Sequence, residues 1–382
     1  MTTVYNDHNV YIVGAGFSVE RGLPLISNFM FFLRDAHEWL LGQQRSEEAE
    51  SVKRVLEFRL RSTPAAYRVR VDLENIEELF SLAAAIDDSL TRNIQSAIAA
   101  TLDYCTYKYS PPKTRVTIRR GDFDVPIWLK KNALQHGGQE NDQQFEADAY
   151  TFIVAGLLGL FDVVRDNSAN AFISFNYDLL VEDALTSLGI PFSYGFGPKG
   201  TIRDESVGQP FLSRDANLKL LKLHGSTNWA FPGGQGGKLA VFRSYAEVRA
   251  GNYVPELVPP TWRKSFDGPL VHVWNEALTQ ISYATRLVIL GFSVPPTDTH
   301  FKYLVAAGLR ENISLREIVF VNPDSEGIAQ RAVELFGDLT QRPSVRIAAI
   351  GARGFTRPDS IHGGSASIGR TFHRSIQSVV NL

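Results

Sequence analysis

Three short segments of this chain carry side chains suited to chemistry. Asn176 lies in Phe175-Asn176-Tyr177-Asp178 and His224 in Lys222-Leu223-His224-Gly225-Ser226, each directly after an apolar run. Far upstream, Gly14-Ala15-Gly16-Phe17-Ser18 follows the first apolar run of the chain. A carboxamide donates and accepts at once, so Asn176 is able to hold a hydroxyl or a water. An imidazole moves protons near neutral pH. Gly14 and Gly16 let a backbone approach a pyrophosphate without Cβ clashes, and the N–H groups of a following helix would meet its charge. Ser18 adds a hydroxyl and Asp178 a carboxylate. An amide, an imidazole and a phosphate-binding turn make a set for chemistry on a dinucleotide.

Each residue also has a plainer reading. The glycines suit any tight turn, and asparagine is a common turn residue. Asp178 is placed to cap the helix that follows it. A histidine at a strand end is commonly satisfied by backbone. The full Gly-x-Gly-x-x-Gly of nicotinamide-dependent oxidoreductases is not present, since Val19 stands at the third position after Gly16. Among the other histidines, His8, His37, His136, His272, His300, His362 and His373, none has a metal-ligand spacing. His300, in Asp298-Thr299-His300, is the rival to His224. The one cysteine, Cys105, forbids both an internal disulfide and a four-cysteine zinc site.

The elements that must position these groups follow from the apolar pattern. Residues 10–13 read as a buried strand entering the glycine turn, and 26–41 as a helix after Pro24. From 46 to 164 the texture is helical: a charged segment over 46–61, a helix through Ile76, Leu79 and Phe80 that Asp72 would cap, another over 91–107, and a last one over 144–164. Residues 111–124 read as a loop and 137–142 as a polar linker. Strands then alternate with helices: strands at 171–175, 218–223, 287–290, 317–321 and 345–350, with helices at 179–188, 274–283, 301–309 and 329–336. Gly233 to Gly237 reads as the turn of a small hairpin. The tail over 351–364 is glycine-rich and polar.

This alternation implies an α/β, Rossmann-like parallel sheet with helices on both faces. Residues 1–45 and 165–382 would form it, with 46–164 as a helical insertion. In such sheets ligands bind at the carboxyl ends of the strands. The glycine turn, Asn176, His224, Gly291 and Asn322 all follow apolar runs, so they would converge on one edge.

The chain's 382 residues suffice for one or two domains with a sizeable core. A net charge of −2 argues against nucleic acid as a partner of the whole chain. No apolar stretch is long enough to span a bilayer, and no secretory signal is visible, so the expected location is the cytoplasm. The basic residues Arg54, Arg59, Arg61, Arg68, Arg70, Lys113, Arg115, Arg119 and Arg120 read as a solvated face of the insertion.

Taken in order, the motifs resemble the sirtuin-like superfamily, and more closely its bacterial NAD-consuming, anti-phage defence branch than the protein deacylases. The matching residues are Gly14-Ala15-Gly16-Phe17-Ser18 with Gly22-Leu23-Pro24, Asn176-Tyr177-Asp178, Lys222-Leu223-His224-Gly225-Ser226, Gly291-Phe292-Ser293 and Val321-Asn322-Pro323. In the insertion, Leu73-Glu74-Asn75-Ile76-Glu77-Glu78-Leu79-Phe80 is also similar to that branch. The resemblance implies NAD as substrate, cleaved to nicotinamide and ADP-ribose. It implies Asn176, His224 and Asp178 as catalytic groups. Gly14, Ala15, Gly16, Phe17 and Ser18 would hold the pyrophosphate, and Gly291, Ser293 and Asn322 the adenosine half.

There are departures from the deacylases. Their Gly-Ile-Pro-Asp-Phe-Arg stands here as Gly22-Leu23-Pro24-Leu25-Ile26-Ser27, without the arginine. Their zinc module has no cysteines to build it, so no zinc is expected, and the helical insertion would occupy its place. Restraint on an NAD-depleting, abortive-infection effector implies a homo-oligomer, or a partner such as a HerA-type ATPase or another sensor. The competing readings are an NAD or ADP-ribose sensor without turnover, a deacylase or ADP-ribosyltransferase, and an ordinary oxidoreductase.

Overall fold

The computed structural model describes residues 7–109, 114–119, 142–160, 169–197, 202–207, 211–234, 237–258, 268–294, 299–340 and 346–350. Twelve strands are formed there: β1 (His8–Val13), β2 (Thr114–Arg119), β3 (Asp142–Ala147), β4 (Ala169–Ser174), β5 (Ile202–Val207), β6 (Lys219–Lys222), β7 (Gly225–Ala230), β8 (Leu239–Val241), β9 (Pro255–Leu257), β10 (Arg286–Leu290), β11 (Glu317–Val321) and β12 (Arg346–Ile350). The α-helices are α1 (Phe29–Gly42), α2 (Ser46–Val69), α3 (Ile76–Ile86), α4 (Asp88–Lys108), α5 (Ala149–Leu157), α6 (Leu180–Ser187), α7 (Tyr245–Ala250), α8 (Pro269–Tyr283), α9 (Thr299–Leu309) and α10 (Ser325–Thr340).

Six strands form one parallel sheet in the order β12-β11-β10-β1-β4-β6. Val10, Tyr11, Ile12 and Val13 are consecutive and all buried, so both faces of the sheet are covered. Helices α5, α6, α8, α9 and α10 supply the cover: Val154, Leu185, Ala277, Phe301 and Ile328 share one core with the strands. This is the Rossmann-like α/β architecture that the alternating pattern implies. The chain leaves β1 for β4 and β6 on one side, then returns to β10, β11 and β12 on the other. The reversal therefore lies at β1, and the crevice outside its carboxyl end is where such sheets bind ligands.

Helices α1 to α4 pack around a second core that includes Leu33, Val55, Leu79, Phe80 and Ile98. Tyr245 and Val248 of α7 and Leu257 of β9 join it. Helix α1 thus packs with the helical block that follows it. A small sheet, β5-β8-β7-β9, has β5 before His224 in sequence and its other three strands after it, and its β7–β8 pair is the antiparallel hairpin read from Gly233 to Gly237.

Two local differences from the sequence reading have physical causes. The segment 114–119 is a strand paired antiparallel with 142–147, where a loop and the start of a helix were expected. The alternation in Thr114-Arg115-Val116-Thr117-Ile118 suits a strand. Helix α5 begins only after Asp148, whose Oδ1 accepts from Thr151 N at 2.9 Å. Asn75 rather than Asp72 caps α3, with its Oδ1 accepting from Glu77 N and Glu78 N. Asp72 instead accepts from Glu74 N in the preceding turn. Residues 351–364 and most of 137–142 lie outside the described residues. No helix among the described residues is long and apolar enough to cross a membrane.

Candidate functional site

At the carboxyl ends of β1, β4, β10 and β11 lies a cavity of about 880 Å³. Ala15, Gly16, Phe17, Ser18, Asn176, Asp178, Gly291, Ser293 and Asn322 all line it. Residues from seven separate places in the sequence meet there: the helical block adds Asn75 at the cap of α3, Glu77 and Phe80 of α3 and Ile98 and Leu102 of α4, and α5 adds Ile153. Gly14 and His224 are not in the lining.

The strand-end turns are joined to one another by backbone. Gly14 N donates to Leu290 O at 3.0 Å, Gly16 N to Gly291 O at 2.7 Å, Gly291 N to Val321 O at 3.0 Å and Phe175 N to Val13 O at 3.0 Å. The glycines are needed for this closeness. A Cβ on Gly16 would sit 2.6 Å from Gly291 O, and one on Gly14 2.8 Å from Phe292 Cα. After the turn the chain forms a 3-10 helix, Ala15–Arg21, and Phe17 N donates to Gly14 O at 2.9 Å. The expected row of open N–H groups at an α-helix start is therefore not what forms: the N–H groups of Gly14, Gly16 and Phe17 are all committed within the protein. Val294, next to Ser293, has a φ of 48°, a costly conformation for a β-branched residue.

Asn176 is 8% exposed. Its Nδ2 donates to Gly14 O at 3.0 Å and to Ser18 Oγ at 3.0 Å. Both amide protons are spent on holding the glycine turn, and its Oδ1 is the group with acceptor capacity to offer. Ser18 Oγ passes its own proton to Asp178 Oδ2 at 2.7 Å. Asp178 Oδ1 accepts from Leu180 N, the first residue of α6, at 3.1 Å, while the cap position itself is taken by Leu179 rather than by Asp178. Asn176, Ser18 and Asp178 thus form one polar chain across the carboxyl ends of β1 and β4.

His224 is 3% exposed. Phe175 meets its ring edge-on at 5.2 Å, and Tyr177 lies at 6.2 Å. Both aromatic rings belong to residues that line the cavity, so the imidazole sits one layer behind them. His224 O accepts from Val258 N at 2.8 Å, which ties it to the end of β9. Gly225 follows with φ of 81°, and a Cβ there would lie 2.1 Å from Glu256 O. The rival His300 sits on α9, 6.4 Å from the Trp274 ring, and does not line the cavity.

Several contributors have no chemical signature in the sequence. Tyr150 on α5 donates its hydroxyl proton to Phe17 O at 2.9 Å and accepts from Arg21 N at 3.1 Å, holding the 3-10 helix at both ends. Burial raises its pKa, as does the nearby Asp178 carboxylate. The Tyr177 phenol is raised by burial and then by the Glu77 carboxylate. Glu77 and the Asn176–Asp178 turn line the same cavity. The segment 73–80, singled out by its likeness to the defence branch, was the one sequence signal for this wall.

The electrostatics of the described lining are one-sided. Glu20, Asp72, Glu74, Glu77 and Asp178 line the cavity, and no lysine, arginine or histidine among the described residues does. Glu74 is paired outward with Arg34 at 3.4 Å and with Arg59. Arg54 and Arg61 likewise pair with Glu50 and Glu57 at 3.1 and 3.6 Å, which leaves less of the basic cluster of α2 uncompensated.

No protein-family model and no curated relative matches this sequence. Among solved structures, similar chains include one described as the structural basis for the mechanism and regulation of Sir2 enzymes, at 12% identity and a TM-score of 0.39, covering 99% of this chain and 94% of that one. A Sir2 homologue in complex with ADP-ribose is similar at 13% identity and 0.36, covering 98% and 93%. Sir2Tm bound to a propionylated peptide is similar at 14% and 0.32, covering 86% and 93%. These are distant likenesses, and no residue role is carried over from them.

Proposed function

We propose that the cavity binds NAD and that the chain is an NAD glycohydrolase, releasing nicotinamide and ADP-ribose. The observation that carries the reading is the convergence of the glycine turn, the Asn176–Asp178 turn, Gly291–Ser293 and Asn322 on one cavity at the reversal point of the sheet. In the reaction, a water oxygen bonds to ribose C1′ as the bond from C1′ to the pyridinium nitrogen breaks. The bonding pair leaves with neutral nicotinamide, and the water gives up its proton. Positive charge builds on the ribose in the transition state, and the carboxylate-lined wall suits it. Asn176 Oδ1 orients a ribose hydroxyl or the water and Asp178 fixes Ser18; His224, behind Phe175 and Tyr177, takes the proton or orients the hydroxyl only after one of those rings moves aside.

The biological reading is an NAD-depleting defence effector in the cytoplasm, restrained by self-assembly or by a partner such as a HerA-type ATPase. It rests on the sequence resemblance alone. The biochemical test is to incubate the purified protein with NAD, with and without the product of the neighbouring gene, and to separate the products by chromatography. Release of nicotinamide with ADP-ribose is expected from wild type and lost in Asn176→Ala and His224→Ala. Asn176→Ala also removes two buried hydrogen bonds, so rates are compared where circular dichroism shows every variant folded. Equal release from all three proteins refutes the assigned roles.

A second reading has an observation in its favour. His224 lies behind Phe175 and Tyr177 rather than in the lining, which suits a protein that binds NAD or ADP-ribose without turning it over. Calorimetric NAD binding with no nicotinamide released would select it.

A further inference from the structure

Lys222 lies two residues before His224 and opposite Ser174 in the β4–β6 ladder. Its side chain is 1% exposed, and Nζ pairs with Glu182 Oε1 at 3.0 Å. The same ammonium donates to the main-chain carbonyl of Asp178. The Tyr194 hydroxyl donates to the same Glu182 oxygen at 3.1 Å. Burial raises the Glu182 pKa while the Lys222 ammonium pulls it down. A fully buried ion pair is a weak source of stability, because desolvation offsets most of the attraction. What this one reaches is the turn that carries Asn176. Backbone bonds run the same way: Leu223 N donates to Ser174 O at 3.0 Å, and Thr227 N to Tyr177 O at 3.1 Å. One strand end therefore bears His224 on its backbone and grips the neighbouring turn with a side chain.

We propose that Lys222 is a positioning residue: its ammonium, neutralised by Glu182, clamps the Asp178 carbonyl and so fixes the Asn176–Asp178 turn against the strand end that bears His224. Its effect on turnover rests on the NAD-cleaving reading, whereas the clamp itself does not. Asn176 holds the glycine turn on one side, and Lys222 holds the Asn176 turn on the other. The two bonds together set the spacing from Gly14 to His224.

The test compares wild type, Glu182→Gln and the double variant Lys222→Met with Glu182→Gln. Both substitutions keep side-chain volume, and removing the pair as a unit avoids stranding one buried charge. In the double variant, amide hydrogen exchange over residues 176–180 and at Thr227 should rise about tenfold or more, the value of one lost charge-assisted hydrogen bond. Exchange in β1 and β10 and the thermal midpoint should stay as in wild type. For NAD cleavage, kcat should fall about tenfold or more with KM within roughly twofold, the signature of lost positioning rather than lost binding. Glu182→Gln alone keeps the donor to Asp178 but strands the buried ammonium, so its thermal midpoint should fall, while exchange in the turn relative to β1 and β10 should rise less than in the double variant. Should the double variant not fold, Lys222→Leu with Glu182→Gln, which also removes both charges and the donor, carries the same expectations. Unchanged exchange in the turn overturns the proposal, as does a rise spread evenly over the sheet. So does a rise confined to the turn that is as large in Glu182→Gln as in the double variant. If wild type releases no nicotinamide, the NAD-cleaving reading fails and the exchange result alone decides the clamp.

Discussion

Gly291→Ala tests whether the joined strand-end turns shape the cavity. Gly291 has a φ of 60°, where an alanine costs about 1–2 kcal/mol. Its new Cβ would lie 2.0 Å from Phe17 N and 2.4 Å from Gly16 C. Those are backbone atoms, held by the Gly16 N bond to Gly291 O, so no rotamer change relieves the clash. The two turns must separate by more than an ångström. Displacing packed backbone adds about 1–3 kcal/mol, for a total loss of about 2–5 kcal/mol. The thermal midpoint of a chain this long should fall by roughly 3–6 °C. A misplacement of about 1 Å at a reacting centre costs on the order of a hundredfold in rate, and that is the expected fall in kcat/KM for NAD. The assays are thermal melting, NAD titration by calorimetry, and nicotinamide release well below the variant's midpoint. Gly42→Ala is the control, since no atom lies within 4 Å of a Cβ there. A folded Gly291→Ala protein with wild-type NAD affinity and turnover would refute the reasoning.

Two further outcomes follow from charge. Burial lifts the half-buried Glu256 carboxyl to about 7. The folded state then keeps this proton between the ordinary carboxylate range and about pH 7, where the unfolded chain has released it. Stability is therefore lost as pH rises through that window and is level above it. Glu256→Gln should raise the thermal midpoint at pH 8, by up to about 3 kcal/mol of stability, and leave it unchanged at pH 4. An equal gain at both pH values would show that the carboxyl is not responsible. Glu77 faces a cavity whose described lining has no cationic side chain, so it favours the positive pyridinium of oxidised NAD over the neutral ring of the reduced form. Glu77→Gln should weaken binding of the oxidised form by about threefold to tenfold, a screened charge–charge effect, and leave the reduced form unaffected in calorimetry. Equal losses for both forms would place Glu77 away from the pyridinium.

The sheet was legible because a doubly covered parallel strand is a continuous apolar run: Val10 to Val13 and Leu287 to Leu290 need no tertiary information to be recognised. The order of those strands was not legible, and strand order is what converts a turn asparagine into a site residue. Asn176 bonds to Gly14 O and Ser18 Oγ, groups that lie about 160 positions away in sequence and only 3.0 Å away in space. No local pattern encodes that. Conversely, the glycine turn was read for its open N–H groups, and those of Gly14, Gly16 and Phe17 are closed by bonds to β10 and within the turn. A 3-10 and an α-helical start have the same apolar pattern, so the difference was invisible. The hairpin of β2 and β3 was missed because 143–146 is glutamine- and glutamate-rich, which favours helix locally, while its pairing partner lies across a long intervening segment.

The cavity has two walls with different physics. The sheet wall is one hydrogen-bonded unit: β10, β1 and β4 end in turns that share backbone bonds, so Asn176, Ser18 and Asp178 cannot shift independently of Gly14 or Gly291. Such a wall suits groups that must be held to fractions of an ångström. The wall from α3 and α4 belongs to a separate hydrophobic core and offers Glu77, Asn75 and an apolar surface of Phe80, Ile98 and Leu102. Its residues can change without disturbing the register of the sheet. Bond-breaking groups are therefore best sought on the sheet wall, and ligand discrimination on the helical one. It follows that exchanging side chains on α3 should alter which nucleotide binds more readily than how fast a bound one is cleaved, whereas substitutions in the Asn176 turn should do the reverse.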